Sequence, residues 1–308
     1  MLKKKIGIAS AILMLAVVLL IFSGATYAAS PTSPMGAPQT VALNVQRMPA
    51  DFLAAPASVS VMKTPPGLTK KPPAPAANKW AVVIGIADYK GSGSDLWHPD
   101  EDAAEMAAAL IDNYGFAESN VKLLTNRKAT AAAILSAMDW LVLNEDAAST
   151  VVFFYSGHGF RAPDSELWDG DVEADGFDEG IVSYDLYGLP DGLLKNRLSG
   201  LESSKVALLF GSCHSGGMFD DASDLQAENR VIASACKADQ YGYDYLQLGN
   251  TLWGKYFVDE ALLHQTADLN GDGVSIEEAH EYSVDPVTTL QPDSQPQLSD
   301  NYEGDFIP

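Results

Sequence analysis

Short apolar runs alternate with longer amphipathic stretches from Trp80 onward, and this alternation predicts the fold class. Continuous apolar runs such as WAVVIGI, STVVFFY and SKVALLF are typical of strands that are buried on both faces. Helices are predicted for EDAAEMAAALIDNYGF, which has acids in its first turn and a glycine near its end, and for KATAAAILSAMDWLVL and NTLWGKYFVDEALL. Strands that alternate with helices indicate an α/β fold, with helices on both faces of a parallel sheet.

Two of the predicted strands end in glycine-rich corners that each present one reactive side chain. His158 and Gly159 follow one strand in FFYSGHGF, and Cys213 follows another in LLFGSCHSGGM. Ligands bind beyond the carboxyl ends of the strands in an open parallel sheet, so we expect both side chains at one edge. A thiol with an imidazole that takes its proton is the pair that a cysteine nucleophile needs.

Two alternatives for these corners are weaker. A metal site formed by His158, Cys213 and His214 lacks the ligand spacing that is usual for such sites. A serine nucleophile is poorly supported because GSCHSGG does not contain the G-x-S-x-G elbow.

The order YSGHG, then the acidic DGFDE, then SCHSGG resembles the metacaspases and related bacterial caspase-like cysteine peptidases, over about Trp80 to Leu263. The resemblance implies a caspase-like three-layer sandwich with a mostly parallel six-stranded sheet. It also implies that Cys213 is the nucleophile, that His158 is the general base, and that the backbone N–H groups of Gly159 and Cys213 bind the oxyanion. The chemistry requires no cofactor, and the implied partners are protein or peptide substrates.

Specificity in the resembled family is for Lys or Arg before the scissile bond and depends on acids in the substrate pocket. The resemblance assigns this role to Asp102 in the EDA stretch and points to Asp185, after the DGFDE loop, as a further acid. The family's second pocket acid is replaced here by Gly211. Each acid has a structural alternative, because the helix dipole alone favours an acid at Asp102 and a loop-structuring role suits Asp185 equally well.

Charge and cysteine content narrow the class of partner. The formal net charge of −22 disfavours nucleic acid and anionic membrane surfaces as partners, and favours cations and substrates rich in Lys and Arg. The only cysteines are Cys213 and Cys236. A disulfide between them is the alternative to a free nucleophile, and we expect instead that Cys236 is a free packing residue.

The N-terminal segment of the chain predicts export. Three lysines precede an apolar run from Ile6 to Phe22, and small residues follow it, which is typical of a signal peptide cleaved after Ala28. We therefore predict a secreted or periplasmic protein with no membrane association after cleavage; a retained membrane anchor is the alternative. Residues 29–79 hold most of the prolines and predict a prosegment or linker. The peptidase domain is expected over residues 80–264, and a calcium loop with a tail over residues 265–308.

An acidic loop between the two reactive corners predicts a calcium site. In the resembled family a corresponding region, with an acid shortly after the nucleophile, holds an activating calcium. The candidate ligands here are Asp171, Asp175, Asp178 and Asp220. Close carboxylates repel one another unless they are solvated or neutralised by a cation, and a solvated acidic loop is the alternative.

The stretch DLNGDGVSIEE predicts a second calcium site, of the EF-hand type. Oxygen ligands at positions 1, 3 and 5 are Asp268, Asn270 and Asp272, with glycine at position 6. The closing acid, Glu278, falls at position 11 rather than 12. We therefore expect a shortened loop that binds calcium weakly, or a vestige that does not bind it.

Together these features predict an exported cysteine endopeptidase that cleaves after basic residues and is modulated by calcium. The main alternative is a catalytically inactive caspase-like module that binds or regulates in response to calcium. A hydrolase that uses another nucleophile and is stabilised by a disulfide is a weaker alternative.

Overall fold

The computed structural model describes residues 43–49, 78–91, 93–163, 173–221 and 224–308. The predicted signal peptide and most of the predicted linker lie outside these ranges. Within them, no helix has both the length and the apolar character that crossing a membrane requires.

Nine strands in the described ranges form two sheets. In chain order they are β1 (Lys79–Gly85), β2 (Val121–Thr125), β3 (Thr150–Ser156), β4 (Gly159–Pro163), β5 (Phe177–Val182), β6 (Gly188–Pro190), β7 (Val206–Gly211), β8 (Arg230–Ser234) and β9 (Gln297–Asp300). The central sheet has six strands in the order β2-β1-β3-β7-β8-β9. Its strands are parallel except β9, which runs antiparallel to β8. The central strands β3 and β7 are buried along their whole length, as their continuous apolar runs predicted.

Helices cover both faces of the central sheet. They are α1 (Pro99–Asp112), α2 (Ala131–Asn144), α3 (Asp191–Leu198), α4 (Leu252–Gly254), which continues as a π-helix over Lys255–Leu263, and α5 (Ile276–Leu290). Alternate strand residues point to opposite faces, so Phe153 packs in the core with α2 and α3, whereas Phe154 packs in the core with α1, α4 and α5. The predicted three-layer α/β sandwich with a mostly parallel six-stranded sheet is confirmed.

The long connection between β3 and β7 contains structure that its sequence did not predict. The sequence predicts an acidic loop here, but β4, β5 and β6 form a small antiparallel sheet within it. Residues 43–49 extend this sheet, because Gln46 N donates to the Leu186 carbonyl at 2.7 Å and Gly188 N donates to the Gln46 carbonyl at 2.9 Å. Part of the predicted linker therefore packs on the folded domain.

The segment after residue 264 also completes the domain rather than following it as a tail. Ile276, Ala279 and Val287 of α5 are buried in the core that contains Phe154. The strand β9 supplies the sixth strand of the central sheet. The folded unit therefore includes residues on both sides of the range expected for the peptidase domain.

Candidate active site

The two reactive corners meet because β3 and β7 are neighbours in the middle of the sheet. The register pairs Ser156 with Gly211, so His158 and Cys213 each lie two residues beyond a paired position. Both line one pocket at the carboxyl ends of these strands. The lining of this pocket also includes Leu96, Pro99, Tyr243, Asp244, Thr251 and Trp253.

The surroundings of His158 fix its orientation and its tautomer. Nε2 lies 2.8 Å from the Ser94 carbonyl oxygen, and because a carbonyl can only accept, Nε2 carries the proton. Nδ1 is then the acceptor of the ring. The Tyr89 ring lies 4.7 Å from the imidazole, and the Tyr89 hydroxyl accepts from His158 N at 2.8 Å. Burial lowers the pKa of His158 to about 4, so the imidazole is neutral at neutral pH.

Cys213 is a partly exposed thiol at the edge of this pocket. Its Sγ donates to the Gly242 carbonyl at 3.6 Å. Burial by the surrounding wall raises the pKa of the thiol to about 11, and the contact with Gly242 opposes that shift. These two pKa shifts make both the thiol and the imidazole neutral at neutral pH. Cys236 is also a free thiol and is buried, as expected for a packing residue.

The turn that carries Cys213 is held in an unusual backbone conformation. His214 has φ 59°, in the left-handed region. It is held there because its backbone N donates to the Gln240 carbonyl at 2.9 Å and its Nδ1 to the Ala238 carbonyl at 2.7 Å. A Cβ on Gly159 would lie 2.0 Å from the Cys213 carbonyl oxygen. Only glycine therefore lets the histidine corner approach the cysteine corner this closely.

The two acids predicted to set specificity are not among the residues that line this pocket. Asp102 is fully buried beneath it, and burial raises its pKa to about 6 although Thr251, Ser156 and Asn250 donate hydrogen bonds that oppose the shift. Asp185 lies at the start of α2, where its Oδ1 accepts from Ala131 N and from the Ser183 hydroxyl, each at 2.8 Å. A contact between either acid and substrate stays a prediction.

Two groups of carboxylates lie beside the small sheet and share Glu173. The first consists of Glu173, Asp191 and Asp224, which are all buried, and the second of Glu173, Asp175 and Glu179. In each group, one carboxylate oxygen per residue lies within 4.8 Å of the others. Carboxylate oxygens are the ligands that calcium prefers, so the buried group fits this ion. Sequence reasoning missed Glu173, Asp191 and Asp224.

Of the predicted acids that lie within the described residues, only Asp175 belongs to one of the two groups. Asp178 precedes Glu179 on β5, and neighbouring strand residues point to opposite faces. Asp220 lines a surface groove with Asp175 but belongs to neither group. Asp171 lies outside the described residues.

The second group, Glu173, Asp175 and Glu179, is already contacted by a cationic side chain, that of Arg161. Arg161 Nε lies 2.6 Å from Glu179 Oε1, and Arg161 Nη2 lies 2.6 Å from Asp175 Oδ2. Burial raises the pKa of Glu179, and the Arg161 guanidinium opposes that shift. A Cβ on Gly217 would lie 2.4 Å from the Glu179 carboxyl carbon. Glu179 therefore connects the acidic groups to the turn that carries Cys213.

The Asp268 loop is closed by its own backbone. Asp268 Oδ1 accepts from Gly271 N at 2.6 Å, and Asn270 Oδ1 accepts from Asp272 N at 3.0 Å. Glu278, predicted to close the loop, instead forms a capping box with Ser275 at the start of α5. The pattern S-x-x-E in the sequence is a signal for this cap. Calcium binding by this loop stays a prediction.

Comparisons with known proteins agree with this architecture. The sequence model of the caspase domain family (Peptidase C14) matches residues 78–291. Metacaspase-7 of Arabidopsis thaliana is 31% identical over 157 residues, which cover 49% of this chain and 38% of that protein. Metacaspase-1A of Aspergillus terreus is 34% identical over 151 residues, which cover 46% of this chain and 36% of that protein. The chain spans less than half the length of these relatives.

A solved structure supports the fold independently. The crystal structure of a protein from Geobacter sulfurreducens matches with a TM-score of 0.56 at 20% sequence identity, covering 74% of this chain and 95% of that chain. The caspase domain match covers well over half of the chain, and the paired strand ends hold the histidine and cysteine corners that carry the resemblance. The chain therefore belongs to the caspase domain family, and the curated proteins it resembles are metacaspases.

Proposed function

We propose that the protein is an exported cysteine endopeptidase of the metacaspase type, with Cys213 as nucleophile and His158 as general base. The observation that carries the proposal is the pocket shared by these two side chains, in which Ser94 holds His158 as the tautomer that accepts at Nδ1. A neutral imidazole that can accept a proton is what a neutral thiol needs beside it.

The proposed reaction is acyl transfer in two steps. Cys213 Sγ attacks the peptide carbonyl carbon while its proton moves to His158 Nδ1, and the backbone N–H groups of Gly159 and Cys213 hold the oxyanion. The C–N bond then breaks as His158 gives the proton to the leaving amine. Water, deprotonated by the same imidazole, releases the acyl group and restores the thiol. No cofactor takes part in these steps.

We further propose that cleavage follows Lys or Arg. Two buried carboxylates, Asp102 beneath the pocket and Asp244 in its lining, place negative charge close to Cys213. An acid near the nucleophile favours a cationic side chain next to the scissile bond. Protein or peptide substrates with a basic residue at that position are the proposed partners.

Calcium modulation is proposed at the buried group rather than at the acids first predicted. Glu173, Asp191 and Asp224 would hold the ion, whose charge would offset three buried carboxylates. Glu173 also belongs to the group that contains Glu179, which lies against Gly217 in the nucleophile turn. Calcium bound at Glu173, Asp191 and Asp224 would therefore favour the active conformation of the turn that carries Cys213.

A catalytically inactive, calcium-responsive module is the second candidate. It is favoured by the raised pKa of Cys213, because a thiol with a pKa of about 11 is almost entirely protonated at neutral pH. Gly211, where the resembled family has a pocket acid, points the same way.

Peptidase assays on three cysteine and histidine variants separate the two candidates. Cys213→Ala and His158→Ala should each lower kcat/KM on peptides with Arg before the scissile bond by about 10³-fold or more. Cys236→Ala is the matched control, because Cys236 is a buried thiol that does not line the pocket; it should retain activity. Turnover by Cys213→Ala at more than a tenth of the wild-type rate would refute the cysteine mechanism.

A further inference from the structure

Two buried carboxylates lie close to the catalytic pocket and differ in how their oxygens are used. Asp102 Oδ1 accepts from Thr251 N at 3.1 Å and from Asn250 Nδ2 at 3.2 Å. Its Oδ2 accepts from the hydroxyls of Ser156 and Thr251, each at 2.7 Å. Four hydrogen bonds occupy the lone-pair sites of a carboxylate. Asp102 therefore has little capacity left for a substrate.

Asp244 is different because one of its oxygens is unused. It lines the pocket with Cys213 and His158, and it is only 7% exposed. Oδ2 accepts from the backbone N of Trp97 and of His98. Among the described residues, none donates a hydrogen bond to Oδ1. A buried carboxylate oxygen without a donor is costly, and a cationic donor from a substrate would remove that cost.

The walls near Asp244 suit a long aliphatic side chain with a charged end. Leu96, Pro99 and Trp253 supply apolar surface in the same pocket. A Cβ on Gly211 would lie 3.2 Å from the Trp253 ring, so the glycine keeps this part of the pocket open. Lys and Arg side chains bury their methylene stems on such surfaces and keep the charged group at a polar partner.

We propose that Asp244 is the residue that binds the basic side chain of the substrate, and that Asp102 is a positioning residue for the pocket wall. The inference rests on the proposed peptidase function. Asp102 holds Thr251, and Thr251 pairs with Asp244 in an isolated β-bridge. Thr251 also caps α4 through its hydroxyl, which accepts from Gly254 N at 3.0 Å. Asp102 thus fixes the segment that presents Asp244.

The test compares peptides with Arg or with the isosteric, neutral citrulline before the scissile bond. Asp244→Asn should lower kcat/KM for the Arg peptide by at least about 10-fold and leave the citrulline peptide almost unchanged. Asp102→Asn should lower kcat/KM for both peptides by similar factors, because it disturbs the wall rather than the charge contact. Asp112→Asn is the charge-matched control; it is exposed and lies at the far end of α1 from Pro99, about 20 Å away.

Two kinetic results would overturn the inference. One is an equal loss on both peptides in Asp244→Asn, and the other is loss of Arg preference in Asp102→Asn alone. Both leave the proposed peptidase function intact, because the wild type still cleaves.

A binding measurement covers the case in which the peptidase function itself fails. Agmatine, a small guanidinium compound, is titrated calorimetrically into Cys213→Ala and into Cys213→Ala with Asp244→Asn. At least about 10-fold weaker binding to the double variant supports the role of Asp244 even if the wild type hydrolyses no peptide. Equal binding to both proteins, or binding to neither, contradicts it.

Discussion

The acidic segment beside the small sheet and the Asp268 loop look alike in sequence but differ in how deeply their carboxylates are buried. In the first, Glu173, Asp191 and Asp224 are at most 5% exposed. In the second, Asp272 is exposed, and Asp268 is bound by backbone N–H groups of its own loop. The second has the better match to a calcium motif, whereas the first has the more deeply buried carboxylates.

We expect burial, rather than the spacing of acids along the chain, to decide which of the two regions binds a cation. Two like charges 4 Å apart repel by about 1 kcal/mol in water and by several times more near a protein interior. The segment beside the small sheet meets part of this need with Arg161, which contacts Glu179 and Asp175. In the Asp268 loop, backbone N–H groups donate to the Asp268 carboxylate.

The largest expected effect is on the calcium response of the buried group. Glu173→Gln together with Asp191→Asn removes two of its three charges at nearly constant volume, so calcium should no longer bind there. At a calcium concentration about 100 times Kd, binding adds about 2.7 kcal/mol to the free energy of unfolding. The double variant should lose that gain, which thermal unfolding in calcium and in excess chelator measures.

The chelator arm provides the control for this variant. Unfolding in chelator measures the effect of the two substitutions alone, so only the calcium-dependent part of the change in Tm tests the site. A calcium-dependent rise in Tm that survives unchanged in the double variant would exclude this group as the site.

An intermediate effect is expected when Arg161 is removed. Arg161→Gln leaves the Glu179 side chain, which is 0% exposed, without its ion pair. The free energy of unfolding should fall by about 1–3 kcal/mol, less than for a fully buried pair because Arg161 is itself partly exposed. Arg197→Gln is the matched control, since its partner Asp139 is 34% exposed, and it should cost less than about 1 kcal/mol. Equal losses in urea unfolding would mean that burial does not distinguish the two pairs.

The smallest effect is expected in the Asp268 loop. Asp268→Ala with Asp272→Ala removes the side chain that accepts from Gly271 and Gly273, so stability should fall by about 0.5–1.5 kcal/mol. The fall should be the same in calcium and in chelator. A fall seen only in calcium would show that the loop binds the ion, and it would reverse the ranking of the two regions.

The sequence predicted the parts of the fold that carry long apolar runs. The strands β1, β3 and β7 lie where the pattern placed them, as do α1, α2, and α4 with the π-helix that continues it. The strands β4, β5, β6 and β9 were missed. The strand β6 has only three residues, and β9 reads QLSD, which is polar and only partly buried. Pairing with β5 and with β8, rather than local sequence, makes these segments strands.

At the site, residues that lie in local motifs could be predicted from the sequence, whereas residues from separate segments could not. His158 and Cys213 lie in local motifs that follow buried strands, so topology alone brings them to one edge. Asp191, Asp224 and Asp244 belong to separate segments, and only tertiary packing buries their carboxylates. Burial by tertiary packing cannot be predicted from the spacing of residues in a local motif.

The most direct test of the central claim is covalent trapping of the nucleophile. A peptidyl acyloxymethyl ketone with Arg at its reactive end should add once, at Cys213, as located by peptide mass spectrometry. In His158→Ala the rate of adduct formation should fall by at least about 10²-fold, because the thiol, with its pKa raised to about 11, then lacks a base. An adduct on Cys236, or an equally fast adduct in His158→Ala, would contradict a Cys213–His158 peptidase.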